Sequence, residues 1–311
     1  MTFVAVGKQE WWGYKPSKNL FVWINAKAWL SFGPVAVAIK MERITHYIQY
    51  VFIFLICFDA NLWAFTPLAR NIIHLEGVHN GTMILEGATY MWMPFDYMYN
   101  FKNWLLLEVF LVYLQCGAGV VIFCMDSMTF NIMFHMIGHL TILKHDIESQ
   151  MWEDLPDSAV RQSLIDIHDY YVFIKSYFKT FESAYGINIG VIYLFNLMAD
   201  SLIMYQLKFA EKENQMLYLL MALYFVISLV ISSYAAEQIR NLSDNIFTTI
   251  YYCPWESLSV SNQKILLLIL LQSQPLMDFK ACGFSVGYRP MINIIKTTFS
   301  YYVMLKKTEE K

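Results

Sequence analysis

The chain has 311 residues, of which 57% are hydrophobic and only 15% charged, whereas a soluble domain carries about 25% charge. Its net charge of −3, with 22 lysines and arginines, offers no basic surface for nucleic acid. The apolar residues gather in blocks about as long as a bilayer is thick. This excludes a disordered, collagenous or small disulfide-rich protein and predicts an all-α, polytopic helical membrane protein.

Residues 1–43 read as an atypical N-terminal segment. Lys8, Lys15 and Lys18 break any signal-peptide core, so Met1 is expected as the mature start. Residues 20–40, rich in Trp and interrupted by Lys27 and Pro34, are expected as a partial span or an interfacial helix. The first full span is 47–66, with Asp59 as its one charge. A glycosylation sequon follows at Asn80-Gly81-Thr82. The second span, 103–125, carries only Glu108.

The longest connection is 126–183. Within it, 158–182 sets Val160, Leu164, Ile167, Tyr171, Ile174, Phe178 and Phe181 at helical spacing. This predicts a helix, capped by Asp157 or Ser158, that runs straight into a third span at 184–207. That span carries only Asp200, and the fourth, 215–236, carries no charge. A second sequon is Asn241-Leu242-Ser243. Residues 266–274 form a short apolar helix stopped by Pro275 and too short to cross. Residues 281–305 are a weaker fifth span containing Arg289, Pro290 and Lys296, with Gly283 and Gly287 permitting close helix approach.

The expected organisation is therefore about five to six spans. Four lie in 44–236, cytosolic anchor helices occupy 237–280, and the last span and an extracellular tail occupy 281–311. Three spans separate the two sequons, so they face opposite sides. Lys and Arg number nine on the Asn241 side against seven on the Asn80 side, or four without the C-terminal tail. The positive-inside rule then places Asn241 in the cytosol and Asn80 outside.

Signatures of catalysis are scarce. His135 and His139 share a helix face, with His145 six residues on, but a membrane di-iron site needs several such histidine boxes and the other four histidines are scattered. The five cysteines include no C-x-x-C pair. Phosphate-binding loops and a nucleophile elbow are missing from the sequence. No enzyme, cofactor or metal site is expected. Glu108 and Asp200 read as structural or interfacial acids near span ends. The 23 Phe, 21 Tyr, 9 Trp and 18 Met supply interfacial belts and deformable apolar walls, suited to a pocket for a small apolar ligand. A transporter is the alternative from another class, but paired, discontinuous spans in two related halves are not visible.

The C-terminal third carries a resemblance. Tyr251-Tyr252-Cys253-Pro254-Trp255 is followed by an apolar run ending Gln272-Ser273-Gln274-Pro275, then Ala281-Cys282-Gly283, then Ser300-Tyr301-Tyr302. Upstream, Trp92-Met93-Pro94-Phe95-Asp96, Asp126 and His168 fall in the same order. This pattern resembles the insect odorant receptors over about 44–305, more closely than the gustatory receptors, although the close lacks the second Ser usual there. The resemblance implies a seven-span fold with a cytosolic N-terminus, in which 47–66 corresponds to the third span. On that reading the chain is N-terminally shortened, with at most a remnant of the second span.

The resemblance further implies the tuning subunit of an odorant-gated, non-selective cation channel. Such a subunit forms a heterotetramer with a common co-receptor in the plasma membrane of olfactory neuron dendrites and binds small volatile ligands. The pocket is then expected in the outer halves of the spans. Phe58, Asn61, Leu62 and Phe65 would line it from the first, Leu107 and Leu111 from the second, and Tyr218, Met221 and Phe225 from the fourth. In the last span, extended one turn, one stripe, Thr297, Ser300 or Tyr301, Met304 and Thr308, is expected to line the pore, with Met304 as a hydrophobic gate. Phe299, Tyr302 and Leu305 are expected to pack on the opposite side.

Overall fold

The structure is a computed structural model describing residues 32–80, 82–87, 92–150, 152, 155–210, 212–281 and 283–309. The expected interfacial or partial span falls mostly on 20–31, outside the described residues, as does Cys282. Among the described residues there are seven α-helices: α1 (Phe32–Ile73), α2 (Leu75–His79), α3 (Phe101–Glu148), α4 (Asp157–Phe209), α5 (Lys212–Tyr251), α6 (Val260–Ser273) and α7 (Tyr288–Glu309). A 3-10 turn at Trp255–Ser257 precedes α6, and a small hairpin, β1 (Lys280–Ala281) and β2 (Phe284–Ser285), precedes α7.

By length and composition α1, α3, α4 and α5 are each able to cross a membrane. They have 42, 48, 53 and 40 residues. At 1.5 Å per residue they reach roughly 60–80 Å, about twice the hydrocarbon thickness. The expected long connection at 126–183 is accordingly almost all helix. α3 runs on to Glu148 and α4 starts at Asp157, because the apolar periodicity outlasts the apolar composition. Phe130, Met133, Ile137, Leu140, Leu143 and Ile147 keep one buried stripe among the polar residues at which a span reading stops.

The described residues fall into two compact units. One takes 32–41, Gly138–Ser176 and Leu242–Leu276, so the middle of the 126–183 connection, 138–176, groups with the anchor helices, while its two ends stay with the spans. Its interior is helix on helix. Leu164 and Ile167 of α4, Ile147 of α3, Ile250 of α5, and Leu266 and Ile269 of α6 converge around one small cavity. All seven residues expected to form the α4 stripe, from Val160 to Phe181, are buried.

The start of α4 differs from the expected cap. The Pro156 carbonyl accepts from the Ala159 and Val160 amides at 2.8 and 3.1 Å. Asp157 is thereby free to accept from Asn262 Nδ2 at 2.7 Å, which fastens α6 to α4. At the far end of α6, Lys175 Nζ donates to the Gln272 carbonyl. Gln274 takes an extended conformation, as the residue before a proline must.

The other unit comprises Glu42–Ile137, Tyr177–Asn241 and Met277–Lys311 and holds the apolar stretches. Near the start of α3, a buried cluster forms from Val78, Leu85, Tyr97, Trp104, Leu107 and Leu111. Polar groups fasten it. The Glu86 carbonyl accepts from Asn71 Nδ2 at 2.7 Å and Trp104 Nε1 at 2.8 Å, and the Glu86 amide donates to Asn71 Oδ1 at 2.9 Å. Arg70 reaches both the Glu86 carboxylate, at 3.0 Å, and Asn214 Oδ1 of α5, at 3.2 Å.

The last span differs from the expected 281–305 block. Its first residues pair as a hairpin, Lys280 opposite Ser285 and Ala281 opposite Phe284. Gly283 has φ +89°, a turn conformation that glycine adopts without strain and that ends any helix. Only Tyr288–Glu309, 22 residues, is helical, roughly 33 Å. Gly283 and Gly287 therefore lie ahead of α7 and do not serve helix packing within it. Among the described residues four helices meet the apolar requirement for spanning, and α7, carrying Arg289 and Lys296, is not one of them.

Asn80 is exposed in the turn after α2, whereas Asn241 sits inside the continuous helix α5. Three long helices separate them. In cells, Asn80→Gln is expected to abolish a glycosidase-sensitive gel shift and Asn241→Gln to leave it intact. A shift lost only with Asn241→Gln would reverse the topology.

Candidate functional site

Successive residues on a helix diverge by about 100°, so neighbours can serve different partners. Tyr224 and Phe225 of α5 do so. The Tyr224 ring meets Phe52 of α1 edge-on at 5.1 Å, and Phe52 meets Phe130 of α3 at 5.4 Å. Phe225 lies 5.4 Å from Phe195 of α4. One adjacent pair thus links α5 to the other three spans. Tyr224 Oη donates to Asp126 Oδ2 of α3 at 2.7 Å, and Ser228 Oγ, one turn further along α5, donates to the same oxygen at 3.3 Å. All three residues are buried. Burying a carboxyl group costs several kcal/mol unless hydrogen bonds compensate it, and two hydroxyl donors to one oxygen supply that compensation.

On either side of this junction the walls are aromatic with a few polar atoms. Trp63 of α1 meets Tyr218 of α5 at 6.0 Å, nearly perpendicular. On α4, Asn196 and Asp200 lie one turn apart and buried. The Asn196 amide donates to the Ile192 carbonyl at 2.8 Å. The Oδ1 atoms of Asn196 and Asp200 meet no donor among the described residues. Apolar walls with a few convergent polar atoms are the usual make-up of a small-molecule site.

The residues expected to bind ligand are distributed unevenly. Tyr218, Met221 and Phe225 are half-buried, as is Leu62. Leu107 and Leu111 are buried in the cluster with Trp104. Phe58, Asn61 and Phe65 are exposed. The side of α1 turned inward runs instead through Phe52, Leu55, Trp63, Pro67 and Asn71. A helix apolar all round has no sequence signal for its phase. Asn61 satisfies itself by donating to the Cys57 carbonyl at 2.6 Å, so its polarity does not require an inward position.

On α7, Ser300, Tyr301 and Met304 are exposed on the chain and Thr297 is half-buried. Thr297 and Ser300 hydroxyls donate to the carbonyls of Asn293 and Lys296, at 2.7 and 2.9 Å. The buried side is at Thr298. Phe299, expected to pack, is 59% exposed, because the helix turns its small hydroxyl residue to the bundle and its bulky ring outward. Tyr302 is half-buried, at 6.3 Å from the Phe299 ring.

A cleft of about 400 Å3 lies in the other unit, between Ile147, Trp152, Thr248, Tyr252, Cys253 and neighbours. It touches none of the residues expected to bind ligand. Burial pushes the Cys253 thiol up from its ordinary value, so it is a poor nucleophile. His139 of the H-x-x-x-H pair is engaged with Tyr170 Oη at 2.8 Å.

A profile of the 7tm odorant receptor family matches residues 37–299. The chain belongs to that family. Odorant receptor 82a of Drosophila melanogaster is 25% identical over 226 residues, 70% of this chain and 57% of the relative; the chain thus spans little more than half the length of that curated relative. The insect olfactory receptor OR5 from Machilis hrabei shares the fold. In complex with eugenol it superimposes with TM-score 0.73 at 14% identity, over 89% of this chain and 70% of that one. A second structure of that receptor gives TM-score 0.65 at 14% identity, over 88% of this chain and 69% of that one. This odorant receptor family member is a multi-pass helical membrane protein.

Reading the sequence alone missed Tyr224, Ser228, Phe52, Phe130 and Phe195. The Tyr224–Ser228 spacing of four and the lone acid Asp126 between apolar stretches were the available signals.

Tyr224→Phe leaves the Asp126 carboxyl one donor short in a buried site. A stability loss of about 1–3 kcal/mol is expected in thermal unfolding of the detergent-purified protein. Combining it with Asp126→Asn is expected to cost clearly less than the two single losses together. Strict additivity would mean that the bond contributes nothing.

Proposed function

We propose that the chain is the tuning subunit of an odorant-gated, non-selective cation channel. It assembles with a common co-receptor into a heterotetramer in the plasma membrane of olfactory neuron dendrites. Membership of the 7tm odorant receptor family supports the receptor role. The observation that carries the ligand reading is the Tyr224–Phe225 pair, since a molecule beside it touches the helix that links all four spans. The ligand is a small volatile molecule held between α1, α3, α4 and α5. Leu62, Tyr218, Met221 and Phe225 form its walls, with Leu107 and Leu111 behind them and Trp63 and Phe195 added from the geometry. Phe58, Asn61 and Phe65 face lipid or a neighbouring subunit. The relative solved with eugenol, a small aromatic phenol, supports this size class of ligand.

The pore is lined by α7 through Thr297, Ser300, Tyr301 and Met304. These side chains stand mainly on the exposed side of the helix, where partner subunits and water would meet them. Met304 is the large apolar group of the stripe and closes the path by excluding water.

Recording from cells that express the chain with the co-receptor, against an odorant panel, tests this reading. Tyr218→Ala and Phe225→Ala should raise the half-maximal concentration about tenfold, the loss of about 1.4 kcal/mol of aromatic contact. Phe58→Ala should leave it within about twofold. Unchanged curves for the first two variants at normal surface expression would remove the pocket from this place, and the lack of any odorant-evoked current would remove the channel reading.

A further inference from the structure

The start of α7 is held by residues that neither the ligand nor the pore uses. On α4, Glu182, Gly186, Ile189 and Tyr193 recur every three or four residues and so share one side. The Glu182 carboxylate accepts from the Lys280 amide at 2.9 Å. A methyl group on Gly186 would lie 3.2 Å from the Lys280 carbonyl oxygen, so the bare backbone there allows β1 to lie close against the helix. The Tyr193 ring meets Phe284 of β2 at 5.8 Å. Its hydroxyl bonds to Ser233 of α5.

One turn beyond Ser233, Glu237 of α5 reaches the helix start itself. Its Oε2 accepts from the Tyr288 amide, the first residue of α7, at 3.4 Å. A Cβ at residue 287 would stand 2.5 Å from that same oxygen. Gly287 therefore leaves room for the carboxylate. A helix start offers unpaired amides and the positive end of the dipole, which a carboxylate satisfies. Glu237 and Tyr224 lie on the same helix, 13 residues apart.

We infer that Glu237 is a positioning residue, whose carboxylate caps α7 and passes movement of the ligand-contacting helix α5 to the pore helix. This rests on the channel reading above. Both α5 and α7 are stiff helices, so a displacement of α5 at Tyr224 is carried to Glu237 with little loss. The bond to Tyr288 and the close approach at Gly287 then make α7 follow. Tyr193 and Ser233 hold the same junction from the side, and Glu182 anchors the hairpin to α4, which fixes the pivot.

Two measurements on the full chain test it. In the purified protein, hydrogen exchange of the first-turn amides of α7 should quicken in Glu237→Met, which keeps the side-chain length but accepts no bond, and stay near wild type in Glu237→Gln. This arm decides the contact even if no current is found. In cells with the co-receptor, Glu237→Met should reach the surface and keep its odorant half-maximal concentration within about threefold. Its maximal current should fall at least about fivefold, the lower end of ordinary coupling between sites. Glu237→Gln should restore that current. Unchanged exchange, a normal maximal current for Glu237→Met, or a loss explained wholly by absent surface protein would each overturn the proposal. A wild-type chain that conducts nothing would instead count against the channel reading.

Discussion

Hydrocarbon offers a backbone amide no partner, so each span must close its own hydrogen bonds, and a helix is the way one segment does that alone. The chain meets this constraint with helices of 40 to 53 residues that do not stop where the membrane does. Continuity has a mechanical consequence. A residue in the apolar half of α3, α4 or α5 is joined to the polar half of the same helix by an unbroken ladder of backbone bonds, with no flexible loop between to absorb movement.

Packing between spans gains little from the hydrophobic effect in lipid, so specific contacts decide it. Here they are few and polar. Asp126, Tyr224 and Ser228 join α3 to α5. Arg70, Asn71, Glu86 and Trp104 close one end of the spans. Glu182, Tyr193, Ser233 and Glu237 hold the hairpin and the start of α7. Between these fixed points aromatic rings meet across the spans, Trp63 with Tyr218 and Phe195 with Phe225, with no directional bond to fix them. Polar fixed points with an apolar stretch between them suit the small-ligand pocket proposed above.

Much of this was legible in the sequence. The seven-residue stripe from Val160 to Phe181 gave a helix running into the third span, because polar residues between the apolar ones fix the phase. The spans at 47–66, 103–125, 184–207 and 215–236 each lie within one long helix, since block length alone decides them. Phase within those blocks was not legible. Phe58, Asn61 and Phe65 were expected inside and stand exposed, for want of a polar side to mark the outer face of α1. The hairpin at 280–285 was hidden for a different reason. Its glycines read equally as small residues for helix packing, and only the backbone angle at Gly283 separates the two. Tyr224 was hidden among 21 tyrosines, its partner Asp126 lying 98 positions earlier in the chain.

The proposed wall of the ligand-opened pore is α7. Its most direct test is the reactivity of single cysteines at Ser300 and Met304, on the exposed side of the helix, and at buried Thr298, with the unsubstituted receptor as background. A water-borne thiol reagent applied to cells expressing the chain with the co-receptor should modify the first two faster with odorant present and reduce the current, and should spare Thr298→Cys. Equal reactivity at all three, or none at Ser300→Cys and Met304→Cys in the open state, would contradict a pore lined by this face.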